Sequence, residues 1–290
     1  MHLRETRRRQ LAAERAYASL SRYFSPNLAE RLAVDADKVN LGGQRREIAT
    51  LFTDITGFTG LVEALEPEVL SPLLNEYLVG MTEIVFAYDG TVAKIVGDAL
   101  HVLFGAPGEQ PDHATRAVRC SLALDEFACA FRQRQEGLGL GLGATRIGVH
   151  TGPAIVGNFG GNRFFEYTAY GDTINISARL EAANKQLRTR LCVSAAVAER
   201  ATDFLGRPIG DLVLRGRSEP IRAFEPLSPE AYADPGTKGY LEAFALLEQD
   251  NPAAMSAFAA QVGCRPGDHL AGFHLRRLLN GGRGLRIELN

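Results

Sequence analysis

Apolar and polar positions along the chain switch repeatedly between a period of two and a period near 3.6, and each switch predicts an element. Ile48 to Phe52 reads as a strand. Glu66-Pro67 then opens a helix with Leu70, Leu73, Leu74, Tyr77, Leu78, Met81, Ile84 and Val85 on one face. Two short apolar runs follow, Val92 to Val96 and Leu100 to Phe104, hinged at Gly97-Asp98 as a β-hairpin. Pro111-Asp112 starts a second long helix with Leu124, Phe127, Ala128 and Phe131 inward, closed by the glycine-punctuated connector 137–143. Thr145 to Gly152 alternates as a strand with Ile147 and Val149 inward, and Ala154 to Val156 leads into a loop at 158–162. Phe164 to Gly171 is strand-like again. Asp172 is placed to cap the helix Thr173–Leu187, whose stripe Ile176, Leu180, Ala183, Leu187 predicts burial. Leu191 to Ser194, then Leu212 to Arg215 paired with Ile221 to Phe224 around Gly216, complete the strands. Mixed hairpins and long helices predict an α+β or α/β sandwich, a sheet covered by helices.

The two ends differ in character. Residues 1–38 are helical and arginine-rich, broken at Ser25-Pro26, where Pro26 suits the first turn of a second helix. This segment reads either as a solvated helix with an apolar edge or as a connector that pairs with its copy or joins a sensory module. Residues 39–46 read as a polar linker. Beyond Pro229 come three alanine- and leucine-rich helices, 240–247, 253–262 and 269–279, separated by Asn251-Pro252 and Arg265-Pro266. They predict a packed or protruding appendage, too short for a repeat array. The expected division is 1–44, 45–228 and 229–290.

Composition narrows the classes. An apolar fraction of 46% supports a full core, and a net charge of -2 gives no reason to expect nucleic acid as a partner. No run approaches the ~18 apolar residues of a membrane span, and no signal peptide precedes the first arginines. Cys120, Cys129, Cys192 and Cys264 lack metal-ligand spacing and read as reduced core thiols of a cytoplasmic protein.

Candidate chemistry starts with two aspartates, Asp54 and Asp98, each at the end of an apolar strand beside glycine. If the fold brought them within about 4 Å, their repulsion would approach ~4 kcal/mol at an effective dielectric near 20. Such a pair calls for a shared proton or cation, and the small-residue turn 53–60 could face an anion. Carboxylates with polyphosphate oxygens suit Mg²⁺. Against this, a carboxylate at a hairpin tip is most often only a turn residue. His101, His113 and His150 show no ligand spacing.

Three runs carry a resemblance: Leu51-Phe-Thr-Asp-Ile-Thr-Gly-Phe-Thr59, Ala93-Lys-Ile-Val-Gly-Asp-Ala99, and Glu166-Tyr-Thr-Ala-Tyr-Gly-Asp-Thr-Ile-Asn-Ile-Ser-Ala-Arg-Leu-Glu181. Together, over about residues 45–228, they resemble the class III nucleotidyl cyclase catalytic domain. The resemblance implies a ferredoxin-like βαββαβ core working as a head-to-tail homodimer with sites at the interface. It implies two divalent metal ions, Mg²⁺ or Mn²⁺, on Asp54, Asp98 and the Ile55 carbonyl. Gly57, Phe58 and Thr59 would offer backbone N–H groups to the triphosphate. Lys94 and Thr168 would read the purine, Asn175 would orient the ribose, and Arg179 would meet charge on the α-phosphate. Arg215 would reach the terminal phosphates, with Arg217 the competing choice. Pro153 stands where some relatives carry a phosphate-contacting base.

Lys94 and Thr168 suit adenine, which accepts at N1 and donates from its 6-amino group. The implied reaction turns ATP into 3′,5′-cyclic AMP and pyrophosphate. Thr168 further resembles the subgroup of bicarbonate-responsive cyclases, which implies bicarbonate as an activator. Two other readings stand beside this one: a nucleotide-binding regulatory module without catalysis, and a guanylate cyclase.

Overall fold

The computed structural model describes residues 7, 25–29, 42–161 and 164–289. The arginine-rich N-terminal helix and the 1–44 boundary fall largely outside them. Strand β1 (Gly42–Ile55) leads to α1 (Phe58–Ala64) and α2 (Pro67–Ala87), and the hairpin β2 (Thr91–Val96) and β3 (Ala99–Phe104) follows. Helix α3 (His113–Gly137) precedes β4 (Thr145–Gly161), β5 (Phe164–Tyr170), α4 (Asp172–Leu187), β6 (Leu191–Ser194) and α5 (Ala195–Arg200). Then come β7 (Gly206–Val213), β8 (Ile221–Pro226), α6 (Pro229–Ala233), α7 (Pro235–Glu248), α8 (Ala253–Cys264), α9 (His269–Leu279) and β9 (Arg286–Glu288). All described strands join one sheet in the order β2-β3-β1-β4-β6-β8-β7-β9, with β5 paired to β4. The architecture is α+β, a sheet flanked by helices.

The period-two pattern sorts side chains to the two faces of this sheet. Ala49, Leu51 and Ile55 of β1, with Leu100, Val102, Phe104, Ile147 and Val149, face α2 and α3. Helix α2 adds Leu73, Tyr77, Met81 and Val85, spaced as the sequence predicts. By length and composition alone α2 could cross a membrane, but its apolar stripe lies in this core. Full burial of such side chains stabilises by ~1.5–3 kcal/mol each. The Tyr77 hydroxyl is satisfied by Thr145 Oγ1 at 2.9 Å.

Helix α4 lies on the opposite face, and glycine sets its distance. A Cβ on Gly148 of β4 would fall 2.1 Å from the Glu181 nitrogen and 2.4 Å from the Ser177 oxygen, so only glycine admits this approach. Ser177 Oγ donates to the Thr50 and Gly148 carbonyls at 2.9 Å each, pinning the helix across β1 and β4.

Five local expectations change. Residues 42–46 are strand, because β4 runs unbroken for 17 residues and offers Gly42–Arg46 partners from Asn158 to Ala154. The expected loop at 158–161 is the outer end of the same strand, paired to β5. The glycine connector also packs: a Cβ on Gly143 would meet the Thr56 carbonyl at 1.8 Å, beside the bond from Thr56 N to the Ala144 carbonyl. Gly171, with no side-chain cap, precedes α4, and Asp172 is its first residue. Cys264 is exposed; Cys120 and Cys192 are buried.

The helices after Pro229 pack against the sheet. Tyr240, Phe244, Phe258 and Leu270 share one cluster with Ile176, Leu180 and Leu187 of α4. Tyr240 donates to the Pro208 carbonyl at 2.7 Å, and the largely buried Arg207 pairs with Glu225 and Asp268 beneath the Tyr240 ring. Strand β9 adds parallel to β7, opposite Asp211–Val213.

Candidate active site

Asp54 is the penultimate residue of β1 and Asp98 sits in the β2–β3 turn beside Gly97, which takes φ 63, a left-handed value that suits glycine. The fold brings the two carboxylates together. Asp98 Oδ2 accepts the Ile55 backbone N–H at 2.7 Å, and its side chain is buried. Burial pushes the Asp98 carboxyl up; the Ile55 N–H opposes this, and the charge of Asp54 adds to it. Arg146, directly opposite Asp54 in the β1–β4 register, pairs with the Asp54 carboxylate and holds Glu181 Oε1 at 2.8 Å. Glu181 is also pushed up, by burial first, with Arg146 pulling it down and Asp54 raising it. The centre therefore holds three carboxylates around one guanidinium.

Sequence reasoning missed Arg146 and Glu181. The signal was there: aligning 51–55 antiparallel to 145–149 sets Arg146 against Asp54. Among the described residues no group of three or more His, Cys, Asp and Glu side chains is arranged to hold a metal ion by itself. The donors that converge are hard oxygens, and carboxylates outnumbering the one guanidinium would fit a Mg²⁺- or Mn²⁺-type cation that also draws on phosphate oxygens. Asp54, Asp98 and the Ile55 carbonyl would hold it. Beside them, Gly57 takes φ 73 and precedes α1, where no side chain caps the Phe58 and Thr59 region.

A separate pocket of about 430 Å³ is lined by Phe52, Lys94, His101, Glu166, Thr168 and Asn175, among others. Lys94 Nζ lies 3.3 Å from Glu166 Oε2, with the lysine side chain 52% exposed. Thr168 is buried on β5. The floor is aromatic: the Phe52 and His101 rings stack at 4.3 Å and 9°, and His101 Nε2 pairs with Thr50 Oγ1 at 3.0 Å. Burial first, then the Lys94 charge, pulls His101 down to about 4. The structure thus unites Lys94, Thr168 and Asn175, while Asp54, Ile55 and Asp98 do not line this pocket.

Arg179 stands one helical turn beyond Asn175 on α4. Its Nη2 would lie 3.6 Å from a Cβ on Gly216, so α4 and the 215–217 turn converge. Arg217 is taken up by the Asp172 carboxylate. Arg215 is exposed and, among the described residues, forms no ion pair. Of the two arginines, Arg215 is the one left available to a phosphate.

Residues 43–224 match the model of the adenylate and guanylate cyclase catalytic domain, and the chain belongs to that family. Adenylate cyclase 1 of Rhizobium meliloti is 39% identical over 182 residues, 62% of this chain but 27% of that protein. The chain thus spans about a quarter to a third of the curated relatives first matched. The crystal structure of the adenylyl cyclase CyaB from P. aeruginosa superposes at TM-score 0.61 with 32% identity, covering 67% of this chain and all of that one. The guanylyl cyclase Cya2 superposes at 0.58, also with 32% identity, covering 64% of this chain and 94% of its own.

Proposed function

We propose that this chain cyclises ATP to 3′,5′-cyclic AMP and pyrophosphate, in a head-to-tail homodimer with two shared sites. One observation carries the reading. Lys94, Thr168 and Asn175 line one pocket, and the carboxylates with Ile55 lie outside it. A second copy supplies the missing half of each site. The rim of the pocket is apolar and open: Val96 and Tyr170 are 60% and 56% exposed, as an unpaired interface would be.

Lys94 donates to adenine N1, and the Thr168 hydroxyl accepts from the 6-amino group. Asn175 orients the ribose so that its 3′-oxygen faces the α-phosphorus. The new bond forms there as the bond to the β-phosphate oxygen breaks, and pyrophosphate leaves. Arg179 meets the charge gathering on the α-phosphate, a role worth about 10³–10⁵ for arginines in comparable transfers. Arg215 and the backbone N–H groups of 57–59 hold the outer phosphates. Divalent ions, when bound, lower the pKa of the attacking hydroxyl and neutralise the triphosphate.

The similarity to Cya2 keeps guanylate cyclisation as a second reading; Lys94, a donor where guanine presents its own N1–H, favours ATP. Bicarbonate stimulation rests on Thr168 alone, and the ratio of activities with and without it measures that point. The test of the shared site mixes two variants. Asp54→Ala and Arg179→Ala are each expected to be inactive, and their mixture to regain cyclic AMP synthesis through one intact hybrid site. No recovery after verified subunit exchange rejects the shared site. No product from unaltered protein with ATP or GTP and Mn²⁺ makes the chain a silent nucleotide-binding module.

A further inference from the structure

The described N-terminal residues 25–29 lie against β2, the terminal strand of the sheet. Ser25 Oγ donates to the Val92 carbonyl at 3.1 Å, and Asn27 Nδ2 donates to Thr91 Oγ1 at 2.8 Å. The fully buried Thr91 hydroxyl donates its own proton to the Ala106 carbonyl at 2.6 Å. Leu28 and Ala29 are buried, and the Ser25 carbonyl accepts from both their N–H groups, so the short turn is held at both ends. The strand they touch is irregular at this point. Val92 pairs with Val102, but Lys94 pairs with His101, so Ala93 is an extra residue in the ladder. A β-bulge of this kind re-aims the side chain that follows it. Here that side chain is Lys94.

We propose that Ser25 and Asn27 are positioning residues for nucleotide recognition: they clasp the edge of β2 at its bulge and so set the direction in which Lys94 enters the base pocket. The proposal rests on the reading of Lys94 as the base-contacting residue. Its physical basis is simple. An edge strand has a ladder on one side only, and a bulge removes one rung of it, so the local backbone is held by whatever else binds it. One hydrogen bond from the clasp falls on the Val92 backbone carbonyl and one on the Thr91 hydroxyl, immediately before the bulge. The segment that leads in from the N-terminus thereby touches recognition without touching nucleotide.

The test compares Ser25→Ala, Asn27→Ala and their double variant with Ser25→Thr, which keeps the donor. Removing one neutral hydrogen bond changes an equilibrium by about two- to tenfold. The alanine variants are therefore expected to raise KM for ATP by about three- to tenfold at unchanged kcat, and to narrow the preference for ATP over GTP by a similar factor. Ser25→Thr should restore both. Hydrogen exchange should rise in a peptide covering 91–96 and stay level in β1 and β4. Unchanged KM and preference overturn the clasp. So does a fall in kcat with faster exchange across the whole sheet, which marks general destabilisation. If the unaltered chain prefers GTP, the adenine reading fails while the same KM shift on GTP still supports the clasp. If it turns over neither nucleotide, level exchange at 91–96 in the double variant rejects it.

Discussion

The carboxylate centre and the base pocket are built on the same strands yet are opposite in character. At Asp54, Asp98 and Glu181 the chain has gathered negative charge, the last two largely buried, and set one guanidinium, Arg146, against it. Around Lys94 and Thr168 it has built an open pocket on a stacked Phe52–His101 floor, with a half-exposed cation at its mouth. The first region is held at a cost in the absence of a cation, because two of its carboxyls are pushed up by burial. The second is close to ready. Perturbed carboxyls of this kind mark candidate functional groups, and the difference is that the carboxylate centre carries them while the pocket does not rely on buried charge.

The largest test of this contrast is Asp98→Asn. Activity should fall by about 10³ or more, as expected for a lost metal ligand. Thermal stability should nevertheless rise, by ~1 kcal/mol, because a neutral amide still accepts the Ile55 N–H without the cost of burying a charge, to which Asp54 adds. A cation-free Asp98→Asn protein melting below the parent would show that the centre is not strained. Lys94→Gln should behave in the reverse way. Its exposed ion pair with Glu166 contributes little, so stability should stay within ~0.5 kcal/mol while the preference for ATP over GTP drops about tenfold. Equal loss on both nucleotides would remove Lys94 from base reading.

A third effect is on pH. His101 titrates near 4 in the fold and near 6.5 when unfolded. As pH falls below 6.5 the unfolded chain takes up the proton first, so His101 withdraws stability between about 6.5 and 4. The slope for one proton is ~1.4 kcal/mol per pH unit. Asp98 and Glu181, raised in the fold, act with the opposite sign: there the folded chain takes up the proton first as pH falls. His101→Gln, which does not titrate, should flatten the dependence of melting on pH by that one-proton slope. An unaltered slope would place the titration elsewhere.

Much of this was legible without coordinates. The stripe of α2, the hairpin around Gly97-Asp98 and the Asn175–Arg179 spacing follow from periodicity and turn chemistry, which are local. Arg146 becomes legible only once β1 and β4 are paired in register, a contact between residues 92 apart. The position of residues 42–46 and of β9 was likewise invisible: neither has a strong strand pattern, and each is strand only because a neighbouring edge is there to pair with. The need for glycine at 148 and 143 appears only once the helix and loop that press on them are placed.

Sequence alone determined the family, the order of elements and the residue types that phosphoryl chemistry needs, because motifs and periods are carried by neighbours along the chain. Tertiary structure decided what those residues face. It set Arg146 between Asp54 and Glu181, took Arg217 out of play through Asp172, and put Lys94 and Thr168 in a pocket that Asp54 and Asp98 do not line. Charge balance and pocket shape depend on distances through space, and a sheet whose partners lie far apart in sequence creates those distances only when it closes.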